Sequence, residues 1–213
     1  EHAPPQPQRK PDIESLELIP FGDVSRLTPL DLQRCLGVAL ARPEKNMGPL
    51  ALEQALKNLQ EVERHGMRDA EVLGGLAYVY WAQDNPNCLK YAEQALEAQD
   101  CDAETRIDLL IVLGDMQLRQ GAFSKAEQAF EELTQIRPRY SDWQMLGVCR
   151  SLQNRPSEAI PAFQKAIELQ PGSIDVHSLL ADELEKIGSL ELSVQQRKIA
   201  ARLEQVRPRR INS

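Results

Sequence analysis

From Thr28 onward, apolar residues return every three or four positions, and the pattern is broken every dozen or so residues by Gly, Pro, Asn or Asp. A spacing of three and four puts apolar side chains on one face of a helix with 3.6 residues per turn. No stretch alternates apolar and polar residues as a half-buried strand would, so the pattern predicts an all-α chain of helix, turn, helix. The first 27 residues differ. They hold Pro4, Pro5, Pro7, Pro11 and Pro20 and show no sustained helical period, which predicts a proline-rich extended arm or linker over 1–27. The last residues, 208–213, predict a basic tail. The longest apolar run, Val72 to Ala82, is bounded by Glu71 and Gln83 and falls well short of the ~18 apolar residues a membrane span needs.

The helical pattern repeats. Gly114, Ala126, Phe130 and Pro138 are each followed 33 residues later by Gly147, Ala159, Phe163 and Pro171. The next interval is 34, carrying Leu146-Gly147 to Leu180-Ala181, Ala166 to Ala200, and the turn position Asn154 to Gly188. Trp143, Leu146, Gly147, Ala159, Phe163, Ala166 and Pro171 stand at the spacing of W-x2-L-G, A-x3-F and P, so this stretch resembles the tetratricopeptide repeat family. Arg150 stands where that family usually has Tyr. Small residues at Gly147 and Ala159 let the two helices of a unit approach closely, Trp143, Leu146 and Phe163 fill the space beside them, and Pro171 stops the second helix.

The resemblance implies a right-handed α-solenoid of about five helix-turn-helix units, at roughly 28–68, 69–102, 103–139, 140–173 and 174–207. The interval from Ala77 to Gly114 is 37, which predicts that the helix near Ala103 starts a turn early. Thr28 to Arg42 and Pro49 to His65 form a divergent first unit, with Leu36-Gly37 matching the first helix and a poor match in the second. Ser193 and Arg197 replace the Ala and aromatic of the last unit, as a C-terminal capping unit requires.

In this family the first helix of each unit lines the concave side, which usually holds a peptide. Transferring the concave positions unit by unit gives Glu71, Tyr78 and Trp81, then Asp108 and Asp115, then Gln144, then Asp175 and Asp182 as candidate partner-binding residues. Tyr78 and Trp81, three apart beside Glu71, suit an aromatic or cationic side chain. They would serve equally as packing against the first unit. The aspartates read either as an electrostatic funnel for a basic segment or as a solvated helix face. The Lys and Asn clamp with which chaperone-binding members hold a terminal carboxylate is absent from every unit.

Charge and chemistry narrow the function. With 25 Lys and Arg against 32 Asp and Glu, the net charge of −7 argues against nucleic acid and for neutral or basic partners. Cys35, Cys88, Cys101 and Cys149 are widely spaced, with no CxxC or CxxCH, and are expected to be buried free thiols. His2, His65 and His177 have no metal-ligand spacing. No GxSxG, HExxH, Walker A or GxGxxG occurs, so no catalytic residue, metal or cofactor is predicted. The expectation is a non-catalytic scaffold that binds another protein or peptide segment, with self-association possible and no membrane insertion. The alternative is a repeat module of a larger enzyme or multi-haem electron-transfer protein whose catalytic region lies upstream. A chain beginning at Glu1 without a charged-then-apolar leader is expected in the cytoplasm, or in the periplasm if a leader or upstream region has been removed.

Overall fold

The computed structural model describes residues 28–41 and 48–206; the arm at 1–27, His2 and the basic tail at 208–213 lie outside the described residues. Among the described residues the chain forms ten helices and no strand: α1 Pro29–Ala41, α2 Gly48–Arg64, α3 Ala70–Ala82, α4 Asn87–Glu97, α5 Ala103–Arg119, α6 Phe123–Ile136, α7 Tyr140–Leu152, α8 Pro156–Leu169, α9 Ile174–Lys186 and α10 Leu190–Val206. Each odd helix packs on the even helix that follows, and each even helix packs on the next odd one. The result is an all-α solenoid.

Local chemistry starts and stops these helices. Thr28 and Asp31 cap α1 reciprocally, Asp31 Oδ2 accepting from Thr28 N at 2.8 Å and Thr28 Oγ1 accepting from Asp31 N at 3.2 Å. Asp69 accepts from Val72 N at the start of α3, and Asp102 from Thr105 N at the start of α5. The turns inside the second to fifth pairs each contain one left-handed residue at the same repeat position: Asp84, Gly121, Asn154 and Gly188, with φ of 53°, 75°, 57° and 78°. These are residue types that tolerate that conformation. α5 has 17 residues against 13 in α3, α7 and α9, which is the extra turn the 37-residue interval implies.

Packing inside a pair rests on close approach. A Cβ at Gly147 would lie 2.6 Å from Phe163 Cε1, and one at Gly114 would lie 2.7 Å from Phe130 Cζ. The divergent first pair solves the same problem with Leu59, whose Cγ would lie 2.8 Å from a Cβ at Gly37. Two buried acids stand at otherwise apolar positions. Asp142 faces Arg137 at 3.4 Å, and Glu183 accepts from Ser151 Oγ and Lys186 Nζ, both at 2.6 Å. Desolvating a carboxylate is tolerated only with such partners.

The thiols divide. Cys88 and Cys149 are buried, and burial pushes them up to about 11 and about 12, so they are unreactive at neutral pH. Cys35 and Cys101 are also free but only half-buried, which corrects the expectation that all four are buried. Cys101 lies in the turn between α4 and α5, and Cys35 lies on α1, which has no described helix before it.

Candidate functional site

The first helices of the first three pairs, α1, α3 and α5, line one open cleft of about 100 Å³. Its floor is apolar, built from Val38 and Ala41 of α1, Gly74, Gly75 and Tyr78 of α3, and Leu109 and Val112 of α5. Its margin carries Glu71, Asp102, Glu104 and Asp108, and among the described residues none that lines it is basic. Missing side chains at Gly74 and Gly75 open the floor. A Cβ at Gly75 would press within 2.9 Å of Leu59 Cδ1, so that position also fixes how closely α3 approaches the first pair. The volume is that of a side chain rather than of a cofactor, since pockets for cofactors and drug-sized ligands run to ~300–1,000 Å³.

Electrostatics sharpen the picture. Arg34 bridges the outer edge, with Nε 2.9 Å from Asp69 Oδ2 and Nη2 2.8 Å from Glu71 Oε2. Burial opposes ionised Asp69, but the bonds from Arg34 and from Val72 N outweigh it and hold the carboxyl below its usual value. The Tyr78 hydroxyl is raised, first by burial and then by the charge of Asp108. A cation entering here meets a carboxylate-rich margin over an aromatic ring, the two features that favour an ammonium or guanidinium group.

Glu71, Tyr78 and Asp108 thus share one cleft. Trp81 does not line it. Its ring stands 5.5 Å from that of Tyr78, and its Nε1 donates to Asp115 Oδ2 at 2.5 Å. Asp115 also pairs with Arg119 at 2.8 Å, and Arg119 with Asp84 at 3.1 Å. Trp81 and Asp115 therefore tie the second pair to the third. Gln144 is half-buried on α7, while Asp175 and Asp182 are exposed on α9. Asp182 pairs with Arg197 at 3.1 Å, and Arg197 also reaches Glu185, so the acids at this end meet a cation from α10. His177 is buried between Gln196 Oε1 and the Pro171 carbonyl, at 2.7 and 3.0 Å.

Asp102 and Glu104 were not among the candidate residues. Asp102 caps α5 and Glu104 sits on its additional first turn, outside the positions carried over from the repeat pattern. The 37-residue interval was the signal that could have found them. Among the described residues no group of three or more His, Cys, Asp and Glu could hold a metal ion. Among the same residues no helix is long and apolar enough to cross a membrane.

A stack of helix pairs with a small-residue and aromatic signature is the architecture of a helical-repeat solenoid. The tetratricopeptide repeat model matches residues 143–173, and the described residues around that match continue the same stack of helix pairs. Among solved structures it is similar to MamA MSR-1, with 23% identity and a TM-score of 0.69 over 83% of this chain and 97% of that one. MamA AMB-1 matches with 22% identity and a TM-score of 0.72 over 84% and 93%. MamA 41-end from Desulfovibrio magneticus RS-1 matches with 19% identity and a TM-score of 0.69 over 82% and 97%. At these identities the likeness is one of fold. No curated protein sequence matches the chain.

Proposed function

We propose that the chain is a non-catalytic interaction scaffold that takes a basic segment of a partner protein along the faces of α1, α3 and α5, seating one Lys or Arg side chain in the cleft over Tyr78. The observation that carries this reading is the cleft lining, in which Glu71, Asp102, Glu104 and Asp108 border an apolar floor, with Arg34 pairing to Glu71 at the outer edge. Glu71 and Asp108 supply charge, Tyr78 supplies the ring, and Gly74 leaves room for the aliphatic stem. The cleft is too small for a cofactor, which leaves a side chain as its natural occupant.

A peptide library selected on the chain tests this. The recovered peptides should be enriched in Arg or Lys, and Asp108→Arg should weaken the best of them by about tenfold or more, the effect of placing like charge at the contact. Binding should also fall as salt rises. Peptides without basic enrichment, or affinities unmoved by Asp108→Arg at equal helicity, would overturn the reading.

A further inference from the structure

One cation of the chain already touches an acid of the cleft. Arg34 of α1 forks onto both oxygens of Asp69, with Nε 2.9 Å from Oδ2 and Nη2 3.1 Å from Oδ1, and the same Nη2 reaches Glu71 Oε2 at 2.8 Å. Glu71 lines the cleft, whereas Asp69 caps α3 beside it. The repeat sets this contact apart. Counting each first helix from its small residue, Gly37, Ala77, Gly114, Gly147 or Ala181, the position six residues before it holds Asp31, Glu71, Asp108, Ser141 and Asp175. The position three residues before it holds Arg34, Gly74, Ile111, Gln144 and Ser178. An acid therefore recurs at the first of these positions, while a cation stands at the second in α1 alone. Arg34 is an addition to the pattern, and it is placed against a carboxylate that the cleft uses.

We propose that Arg34 is a built-in competitor for Glu71, so that a partner's cation gains that carboxylate by taking it from Arg34; this rests on the reading that the cleft receives a Lys or Arg side chain. The geometry allows the exchange without rearrangement. Arg34 holds Asp69 through two bonds and Glu71 through one, so giving up Glu71 leaves the guanidinium docked on Asp69. The Arg34 and Glu71 side chains are 25% and 46% exposed, so an incoming group can reach the contested oxygen. Nor does α1 depend on that bond for its place. Buried Ala41 and Leu59 pack at Gly75, and Leu59 also packs at Gly37, so apolar contacts hold α1, α2 and α3 together. The competitor acts as a filter. A neutral side chain cannot replace Arg34 at a carboxylate, and a cation must outbid a guanidinium already held in position, so weakly charged partners are excluded.

The test is a double-mutant cycle on the full chain, read by NMR titration with a blocked Ala-Ala-Arg-Ala-Ala peptide and, as the neutral control, the same peptide with citrulline in place of arginine. Arg34→Gln should tighten the arginine peptide at least about fivefold, because Glu71 is released to it. In a Glu71→Gln chain the same change at Arg34 should move the affinity by less than about twofold, since the contested carboxylate is gone. Arg106→Gln removes a cation of α5 that pairs with Glu132 of α6 rather than with a cleft acid, and it should also stay within about twofold. Tightening of equal size in both backgrounds would overturn the proposal, because the effect would then be general repulsion, and so would the absence of any tightening. In either case a native chain that prefers arginine to citrulline keeps the cleft reading, whereas chains that never distinguish the two peptides lose both. Far-UV ellipticity shows that the solenoid is intact in each variant. The native chain supplies a measure that needs no substitution: the guanidinium nitrogen signals of Arg34 should shift on saturation with the arginine peptide, and signals that stay in place would overturn the exchange.

Discussion

The second and fourth helix pairs solve one packing problem with opposite residues. In the fourth pair, Phe163 fills the approach over Gly147, and Arg150 stands at the position that usually carries Tyr. In the second pair the Tyr is kept as Tyr80, but the place of Phe163 is taken by Ala92, facing Ala77. There Tyr91 stacks on Tyr80 with ring centroids 5.4 Å apart. Both variants reach back to the preceding pair. Tyr80 Oη accepts from Gln60 Nε2 at 3.0 Å and Tyr91 Oη donates to Glu63 at 3.0 Å, whereas Arg150 donates to Glu127 at 2.9 Å. The third pair falls between them, with Phe130 over Gly114 but Gln117 at the Tyr position, buried and with its Oε1 unpartnered. What the second and fourth pairs share is a packed interior and a bond to the previous layer, and more than one residue set supplies them.

The comparison can be broken where it is strongest. Phe163→Ala should cost about 3–5 kcal/mol, read as a shift in the urea midpoint, because Gly147 provides no side chain to refill the space. Glu127→Gln should cost about 1.5–3 kcal/mol by the same measure, since it removes the charged acceptor shared by half-buried Arg150 and its neighbours. That contribution also carries a pH signature. Burial alone would raise the Glu127 carboxyl, but the bonds from Arg150, Gln153 and Arg155 outweigh it and hold it below its usual value. A carboxyl lowered in the folded state adds stability that is complete above the unfolded value, near ~4.3, and is lost as pH falls through the folded one. Urea midpoints should therefore drop less steeply below pH 5 in Glu127→Gln than in the native chain. The smallest effect has the opposite sign. Gln117→Leu should stabilise the chain by about 1 kcal/mol, because it removes a buried carbonyl oxygen with no partner while roughly keeping the volume.

These differences also mark what could be read from residues alone. The third, fourth and fifth pairs were legible because Gly114, Gly147 and Ala181 recur at regular intervals, with Ala and Phe behind the first two. The first was hard to read because Leu59, which plays the part of Phe163, is displaced by the longer connection between α1 and α2. Periodicity assigns a face but not a bond. The family resemblance implied Glu71, Tyr78 and Asp108 on one side, and the structure gathers them in one cleft. It could not show that Trp81 and Asp115 would bond to each other, because that contact joins two repeats and depends on the distance between them. Nor did it supply Leu109 and Val112, which complete the floor from α5.

The bond between Trp81 and Asp115 has an optical side. The chain has two tryptophans, Trp81 and Trp143, and only Trp81 lies against Tyr78 at the edge of the cleft with its indole N–H held by a carboxylate. Its emission depends on that carboxylate and on the ring beside it, so a Trp143→Phe chain becomes a single-fluorophore sensor. Whatever enters the cleft and moves Tyr78 changes the colour or brightness of the protein itself, without a dye.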